Sequence, residues 1–453
     1  MLLLLSTIPT FLQHQLPNTN TVGANTPRPT TLYLQQHIIS MHKGFKSSRT
    51  ITSHAIPSLI IIFSYSLPLL HYNKSRIYNY QVAVVELVIL IFSFLVYKKK
   101  LLNHFLSPSR EKILVILFLF AALISAIHSD YTRYSLQRDI AMSIWFLYFW
   151  LTVFLIKEKL LTEHAIFIIF STSTIIPICV FSYYYFTLPP QSFEGIFKHH
   201  YYFYSNVRHF GYHLTAAAIA GLYFIITSKG KKVTLAFGLF ICLLNITVLI
   251  WTASRQGILI AGTTCFVSLN IYYKEHRKKL FIAFIIATAL SLIVLDILGI
   301  TEKSINRIYS STFNIDSLYD LTSGRILVWK ETLSFIRNNW VLGSGSESFY
   351  YLYGNRQSFR LVQPHSIILQ SLLSWGIVGS MFFFTILWIT FYYPIKYLRN
   401  YGIRDNEHIL IATALLSAIL ANSLIDGTLY HVLPIYIFSF MAAIVCANAC
   451  NNT

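Results

Sequence analysis

The chain has 453 residues, of which 55% are hydrophobic and only 11% charged, where a soluble domain carries about 25% charged residues. A mean hydropathy of +0.57 over the whole length excludes an ordinary soluble enzyme, and the chain is better counted in membrane spans than in soluble domains. The net charge of +18 sits in short loops between apolar runs, the pattern of topology signals and anionic-lipid contacts rather than of a nucleic-acid groove.

At the N-terminus a Leu2–Leu5 cluster precedes a Thr/Asn/Pro-rich stretch. The apolar run is too short to span and has no basic leader, so it makes a poor signal peptide. Met41, followed by Lys43, Lys46, Arg49 and an apolar run, has the form of a true start. Residues 1–50 are therefore expected to be a disordered or non-native extension. Five cysteines, Cys179, Cys242, Cys265, Cys446 and Cys450, fall in apolar segments without paired spacing, so no disulfide framework and no metal site is expected.

Twelve apolar segments follow, with cores at 56–72, 80–97, 113–129, 140–156, 164–186, 209–228, 233–251, 256–273, 280–300, 366–394, 408–425 and 431–448. Each is near the ~20 residues a helix needs to cross about 30 Å of hydrocarbon. Helices, not strands, follow from the need to satisfy every backbone group internally. The expectation is an all-α polytopic membrane protein: transmembrane helices 1–9 in residues 51–300, one long periplasmic loop at 301–365, and helices 10–12 in residues 366–453.

Loop charge orients these spans. Lys98, Lys99, Lys100, Arg110 and Lys112, then Lys157 and Lys159, then Lys229, Lys231 and Lys232, then Lys274, Arg277, Lys278 and Lys279, and finally Lys396, Arg399 and Arg404 lie on one side. The positive-inside rule makes that side, and both termini, cytoplasmic. A loop as long as 301–365 in a compact membrane protein is usually functional.

Five polar residues then share the outer side. Arg208 lies in Ser205-Asn206-Val207-Arg208-His209, and Arg255 lies in the tight turn Thr252-Ala253-Ser254-Arg255-Gln256-Gly257. Arg325 opens the segment after Ser323-Gly324, His365 follows Pro364, and Asp426 precedes Gly427. An arginine at a span end is also an ordinary interfacial anchor. Arg255, however, lies close to hydrocarbon, where a charge needs a partner, and planar guanidinium forks suit phosphate oxygens. His365 alone is an ordinary interfacial histidine. With Pro364 at a first helical turn, though, the helix dipole favours its neutral imidazole, which can accept a hydroxyl proton. Asp426 either orients that imidazole or satisfies a buried N–H.

Trp329, Leu333, Ile336 and Trp340 recur at helical steps behind Arg325. They are expected to form an amphipathic helix on the membrane surface that Gly343-Ser344-Gly345 ends. Glu86, in the middle of the second span, is expected to bond a neighbouring helix, and His431 lies across the last outer turn from Asp426.

Ser254-Arg255-Gln256-Gly257, Ser323-Gly324-Arg325 with Trp329, Leu342-Gly343-Ser344-Gly345 with Phe349, and His365 through Leu369-Gln370 to Gly376-Ile377-Val378-Gly379 together resemble the O-antigen ligase and polymerase superfamily. The similarity covers roughly residues 205–435 and rests on motif order, spacing and shared side. It implies a membrane-embedded (GT-C-like) glycosyltransferase at the periplasmic face of the bacterial inner membrane. Its donor would be an undecaprenyl-diphosphate-linked glycan and its acceptor a sugar hydroxyl of the lipid A–core oligosaccharide, with no cofactor or metal. By the same resemblance Arg255 and Arg325 grip the diphosphate, His365 is the base, and Asp426 matches an acid after the penultimate span. Arg208 and Trp329 complete the implied substrate site. Where the family often has His-Asn this chain has His365-Ser366, and Trp375 stands where an acid is frequent.

Three alternatives share the composition. A polymerase would use a second undecaprenyl-linked acceptor, and a protein O-oligosaccharyltransferase a serine or threonine. A secondary transporter would show repeat halves and helices broken at the midplane; no repeat is evident, and the polar residues gather at one surface.

Overall fold

The structure, a computed structural model, describes residues 80–188, 196, 203–204, 207–272, 277–313, 324–356, 361–402 and 406–449. The N-terminal extension and the expected first span at 56–72 lie outside these residues. The described chain is helical, with no strand among the described residues. In order the helices are α1 (Tyr80–Leu106), α2 (Arg110–His128), α3 (Thr132–Lys157), α4 (Glu163–Thr172), α5 (Ile175–Thr187), α6 (Val207–Thr227), α7 (Lys232–Trp251), α8 (Arg255–Tyr272), α9 (Arg277–Ile297), α10 (Thr301–Phe313), α11 (Arg325–Asn338), α12 (Ser348–Arg356), α13 (Ile367–Tyr401), α14 (Glu407–Ile425) and α15 (Val432–Asn448). A 3₁₀ turn, Thr428–Tyr430, joins the last two.

The expected count of twelve spans is not reached. Seven segments are long and apolar enough to cross a membrane: Arg110–His128, Thr132–Lys157, Glu163–Thr187, Val207–Thr227, Lys232–Trp251, Ile367–Tyr401 and Glu407–Ile425, with shorter apolar helices at Phe284–Ile297 and Val432–Asn448. The protein is thus an all-helical, multi-pass membrane protein. The remaining expected cores fall on helices, but charge or length sets them apart: Lys98, Lys99 and Lys100 enter α1 at a non-helical Lys98.

The helices pack as a bundle in which α6 lies against α7, α14 against α15, α15 against α3, and α13 against α2. Large rings fill its centre: Tyr148, Phe170, Phe440 and Tyr436 are fully buried. Lipid supplies no hydrophobic drive between spans, so such packing and interhelical hydrogen bonds hold them. Glu86 is also fully buried, on α1, which packs against α3.

The segment expected as a long loop is instead largely α10, α11 and α12. The buried stripe of α11 is Val328, Thr332 and Phe335, against Phe349, Tyr353 and Leu373. That is one position off the expected stripe, whose Leu333 and Trp340 are exposed. The shift follows from having two apolar faces: a helix with a protein on one side and lipid on another spreads its apolar residues around more than one stripe.

Gly343-Ser344-Gly345 does more than end α11. Helix α13 is broken at Gly376 (φ 60°), which strands backbone groups that lipid cannot satisfy. Residues 340–345 supply the missing partners. Ser344 N and Gly345 N donate to the Leu373 and Ser374 carbonyls at 2.7 and 3.0 Å, and Ile377 N and Val378 N donate to Trp340 O and Val341 O at 2.9 and 3.4 Å. The approach requires glycine on both sides: a Cβ on Gly376 would lie 2.1 Å from Val341 O, and one on Gly343 would lie 2.5 Å from Gly376 N. This docking fixes α11 and α12 over the ends of α3, α13 and α14.

Candidate active site

Asp426 caps α14 and is the centre of the site. It is almost wholly buried, with 3% of its side chain exposed. His365 Nδ1 lies 2.7 Å from Oδ1, while Arg325 Nη2 and Arg208 Nη1 lie 3.2 and 3.7 Å from Oδ2. The Tyr212 hydroxyl donates to Oδ2 at 2.5 Å, and the Gly427 N–H donates to Oδ1 at 2.9 Å. Burial pushes the Asp426 carboxyl up, but the His365 hydrogen bond and charge, with the Arg325 and Arg208 guanidiniums, outweigh it and hold the group well below the usual carboxylate range.

An ionised Asp426 can only accept, so His365 Nδ1 carries the hydrogen between them. A neutral His365 then has its lone pair on Nε2, facing away from the carboxylate. This is the arrangement in which a carboxylate fixes the tautomer of a base.

The expected place of His365 in a first helical turn is not observed. Helix α13 starts at Ile367 with Ser366 as its cap, so Pro364 and His365 precede it. His365 takes a left-handed backbone (φ 56°), uncommon for a residue with a Cβ. Its imidazole is therefore set by Asp426 rather than by a helix dipole. Trp329 steadies the same turn, its indole Nε1 donating to Pro364 O at 3.0 Å. Arg325 and Trp329, four apart on α11 as the spacing predicts, thus reach Asp426 and the His365 turn respectively.

The structure brings His365, Arg325, Asp426, Arg208 and Trp329 together. Arg208 is the most exposed of the cations at 46%, against 15% for Arg325. Arg255 opens α8, but its side chain lies outside the described portion. Its neighbour Ser254 packs on α6, where a Cβ on Gly211 would meet Ser254 Oγ at 2.2 Å. That contact brings the Arg255 turn against the helix that carries Arg208. His431 joins as expected from its turn: its ring centroid is 4.0 Å from that of His209, and its Nε2 is 3.4 Å from Gln363 Nε2.

A second polar cluster, without counterpart in the expectations above, lies beside this one. Arg138 and Asp139 on α3 are both buried. Arg138 Nε lies 3.6 Å from Glu347 Oε1 and its guanidinium stacks over the Tyr430 ring at 4.4 Å. Tyr430 donates to Glu347 Oε2 at 2.8 Å; burial and the Glu347 charge push its hydroxyl up, so it stays a donor. Trp375 Nε1 donates to Ser346 Oγ at 2.9 Å, and the Ser346 hydroxyl donates to Asp139 Oδ1. Trp375 is therefore an interior hydrogen-bond donor, and the nearby carboxylate comes from α3.

A cavity of about 960 Å³ opens beside Asp426. Gln363, Ser366, Tyr430 and Asp426 line its polar mouth, and Met142, Phe383, Leu387 and Phe438 line its apolar depth. Among the described residues no three His, Cys, Asp or Glu side chains converge as a metal site would need.

Residues 238–384 match the family model described as O-antigen ligase. The stretch runs from α7 into α13 and holds Arg255, Arg325, Trp329, His365 and Gly376, whereas Arg208 and Asp426 lie outside it. The chain thus carries an O-antigen ligase domain, in support of membership in the O-antigen ligase and polymerase superfamily. No curated protein matches the chain at a significant level.

Proposed function

We propose that this protein is an O-antigen ligase of GT-C-like architecture in the bacterial inner membrane, with its termini cytoplasmic and its site periplasmic. It moves a glycan from undecaprenyl diphosphate to a sugar hydroxyl of the lipid A–core oligosaccharide. The observation that carries this is the grouping of His365, Arg325 and Arg208 around buried Asp426 at the mouth of a cavity polar above and apolar below.

In this reaction the acceptor oxygen forms a bond to the anomeric carbon while the bond from that carbon to the diphosphate oxygen breaks. The hydroxyl proton passes to His365 Nε2, and the bonding pair leaves with the diphosphate. Asp426 holds the imidazole and steadies the imidazolium as it forms. Arg325, Arg208 and Arg255 neutralise the leaving diphosphate; preorganised cations at a developing charge are commonly the largest contribution to catalysis. Arg208, half-exposed and the farthest from Asp426, is free to turn toward a phosphate.

Lipopolysaccharide electrophoresis of a deletion strain tests the assignment. A ligase deletion leaves core without O-chain while the undecaprenyl-linked polymer accumulates. Core bearing a single repeat unit would instead identify a polymerase. In the purified protein, His365→Ala is expected to lower transfer roughly 100- to 10,000-fold, the usual contribution of a general base. Full complementation by both His365→Ala and Arg255→Ala would overturn the site.

A further inference from the structure

The cavity beside Asp426 does not end in the bundle. A second cavity of about 650 Å³ lies below it, lined by Leu114, Trp150, Ala442, Val445 and Cys446. Trp145, Phe146, Ile386 and Phe438 border both cavities, so they meet at a four-residue waist between α2, α3, α13 and α15. The waist is braced: Trp145 Nε1 donates to Ser439 Oγ at 2.6 Å, and Phe146 packs edge-on against Phe118.

The walls run from Arg138 to Trp150 on α3, roughly 18 Å at the helical rise. One leaflet contributes only about 15 Å of hydrocarbon. At its far end the lower cavity reaches Glu111, in the first turn of α2 beside Lys112, on the lysine-rich side. A chain entering at Asp426 and filling both cavities therefore passes the midplane and nears the opposite surface. An acyl chain confined to its own leaflet does not reach that far; a single long isoprenoid chain does.

We propose that the two cavities form one slot for the hydrocarbon chain of the lipid-linked donor, and that the waist and lower cavity select for chain length. The inference rests on the transferase reading above. The donor's head sits at Asp426 and His365, its first isoprene units lie against Met142 and Phe383, and its distal units pass Trp145 and Phe438 to reach Val445. A short-chain donor fills only the upper cavity and forgoes the contacts below.

The test uses the full chain in nanodiscs with two synthetic donors bearing the same glycan diphosphate. One has a prenyl chain too short to pass the waist, the other a chain long enough to reach Cys446. Wild type is expected to show a kcat/KM at least tenfold higher for the long donor, since each buried methylene contributes about a fourfold gain. Ala442→Trp, which fills the lower cavity, is expected to collapse that ratio toward one. An unchanged ratio overturns the slot, as does a wild type indifferent to chain length. A diazirine at the far end of the long chain keeps the inference testable should Ala442→Trp misfold. Adducts on Ala442, Val445 or Cys446 support the slot. Adducts confined to the upper walls overturn it, as does labelling of the lower cavity by a phospholipid probe alone. Transfer from neither donor would instead sink the transferase function itself.

Discussion

Asp426 is a buried carboxylate whose charge is shared among an imidazole, two guanidiniums, a phenol and a backbone N–H. Its substitution by Asn is nearly isosteric but removes the charge that orders the others. Asp426→Asn is expected to lower transfer through His365, whose tautomer is no longer fixed, and to lower Tm, since breaking a buried ion pair on one side costs about 3–5 kcal/mol. The pH dependence follows from the depressed carboxyl. A group whose folded pKa lies below its unfolded value, about 3.9 for aspartate, contributes stability in full above that value and loses it as pH falls through the folded one. The Tm gap between wild type and Asp426→Asn is therefore expected to stay level from neutrality to about pH 5 and to narrow below about pH 4. A gap that closes near neutrality would contradict this. Arg325, His365 and Asp426 were legible in the sequence because charged residues beside apolar runs are rare and stand out. Tyr212, one helical turn from Arg208, was hidden because a tyrosine near a span end reads as a membrane-interface residue. Arg138 and Asp139 were hidden for another reason: the apolar core of the third helix begins at residue 140, yet α3 starts at Thr132. The pair therefore lies inside the helix and is buried rather than in a loop.

At the scale of elements, the site depends on the break in α13. Without it the Leu373 and Ser374 carbonyls would bond along their own helix, and nothing would anchor residues 340–345. Gly376→Ala places a Cβ against the Val341 carbonyl in a backbone conformation that costs roughly 1–3 kcal/mol for a residue with a side chain. It is expected to lower the melting temperature in detergent and to reduce transfer well beyond the loss of folded protein, because Arg325 and Glu347 ride on the displaced segment. Activity per folded molecule equal to wild type would show that the docking does not position the site. The sequence marks Gly343, Gly345 and Gly376 as punctuation, but which glycine faces which is a long-range fact that no local period encodes. Helix α11 shows the same limit: its existence and its Arg325–Trp329 spacing were legible. Its buried face was not, because apolar residues facing lipid and those facing protein look alike.

For the whole molecule, the sequence conveyed class far better than span count. Hydropathy alone separates this chain from soluble proteins, yet seven segments meet the length and composition of a span where twelve were expected. Short helices such as α4 and α5 meet at a break, and α1 carries three lysines, so apolar stretch and crossing helix are not equivalent here. The sidedness proposed from lysine-rich loops is open to a direct check. In a cysteine-free background, Lys99→Cys and Asn355→Cys, both at exposed positions, are expected to react with a membrane-impermeant maleimide from opposite sides, Asn355→Cys from the periplasm. Labelling of both from one side would overturn the topology and move the site to the other compartment.

The docked segment also bears on how the chain is built. Residues 340–345 leave the ribosome before α13, and on the proposed topology they must cross to the far side of the membrane ahead of it. When α13 enters the bilayer it carries an interruption at Gly376 that its own backbone cannot close, so it stays incompletely bonded until the earlier segment returns to meet it. Completion of that helix thereby reports that α11 and α12 have crossed the membrane. A chain that fails to export them is left with a polar defect in lipid that quality-control proteases can recognise. The same joint that holds the catalytic arm in place acts, during synthesis, as proof of delivery.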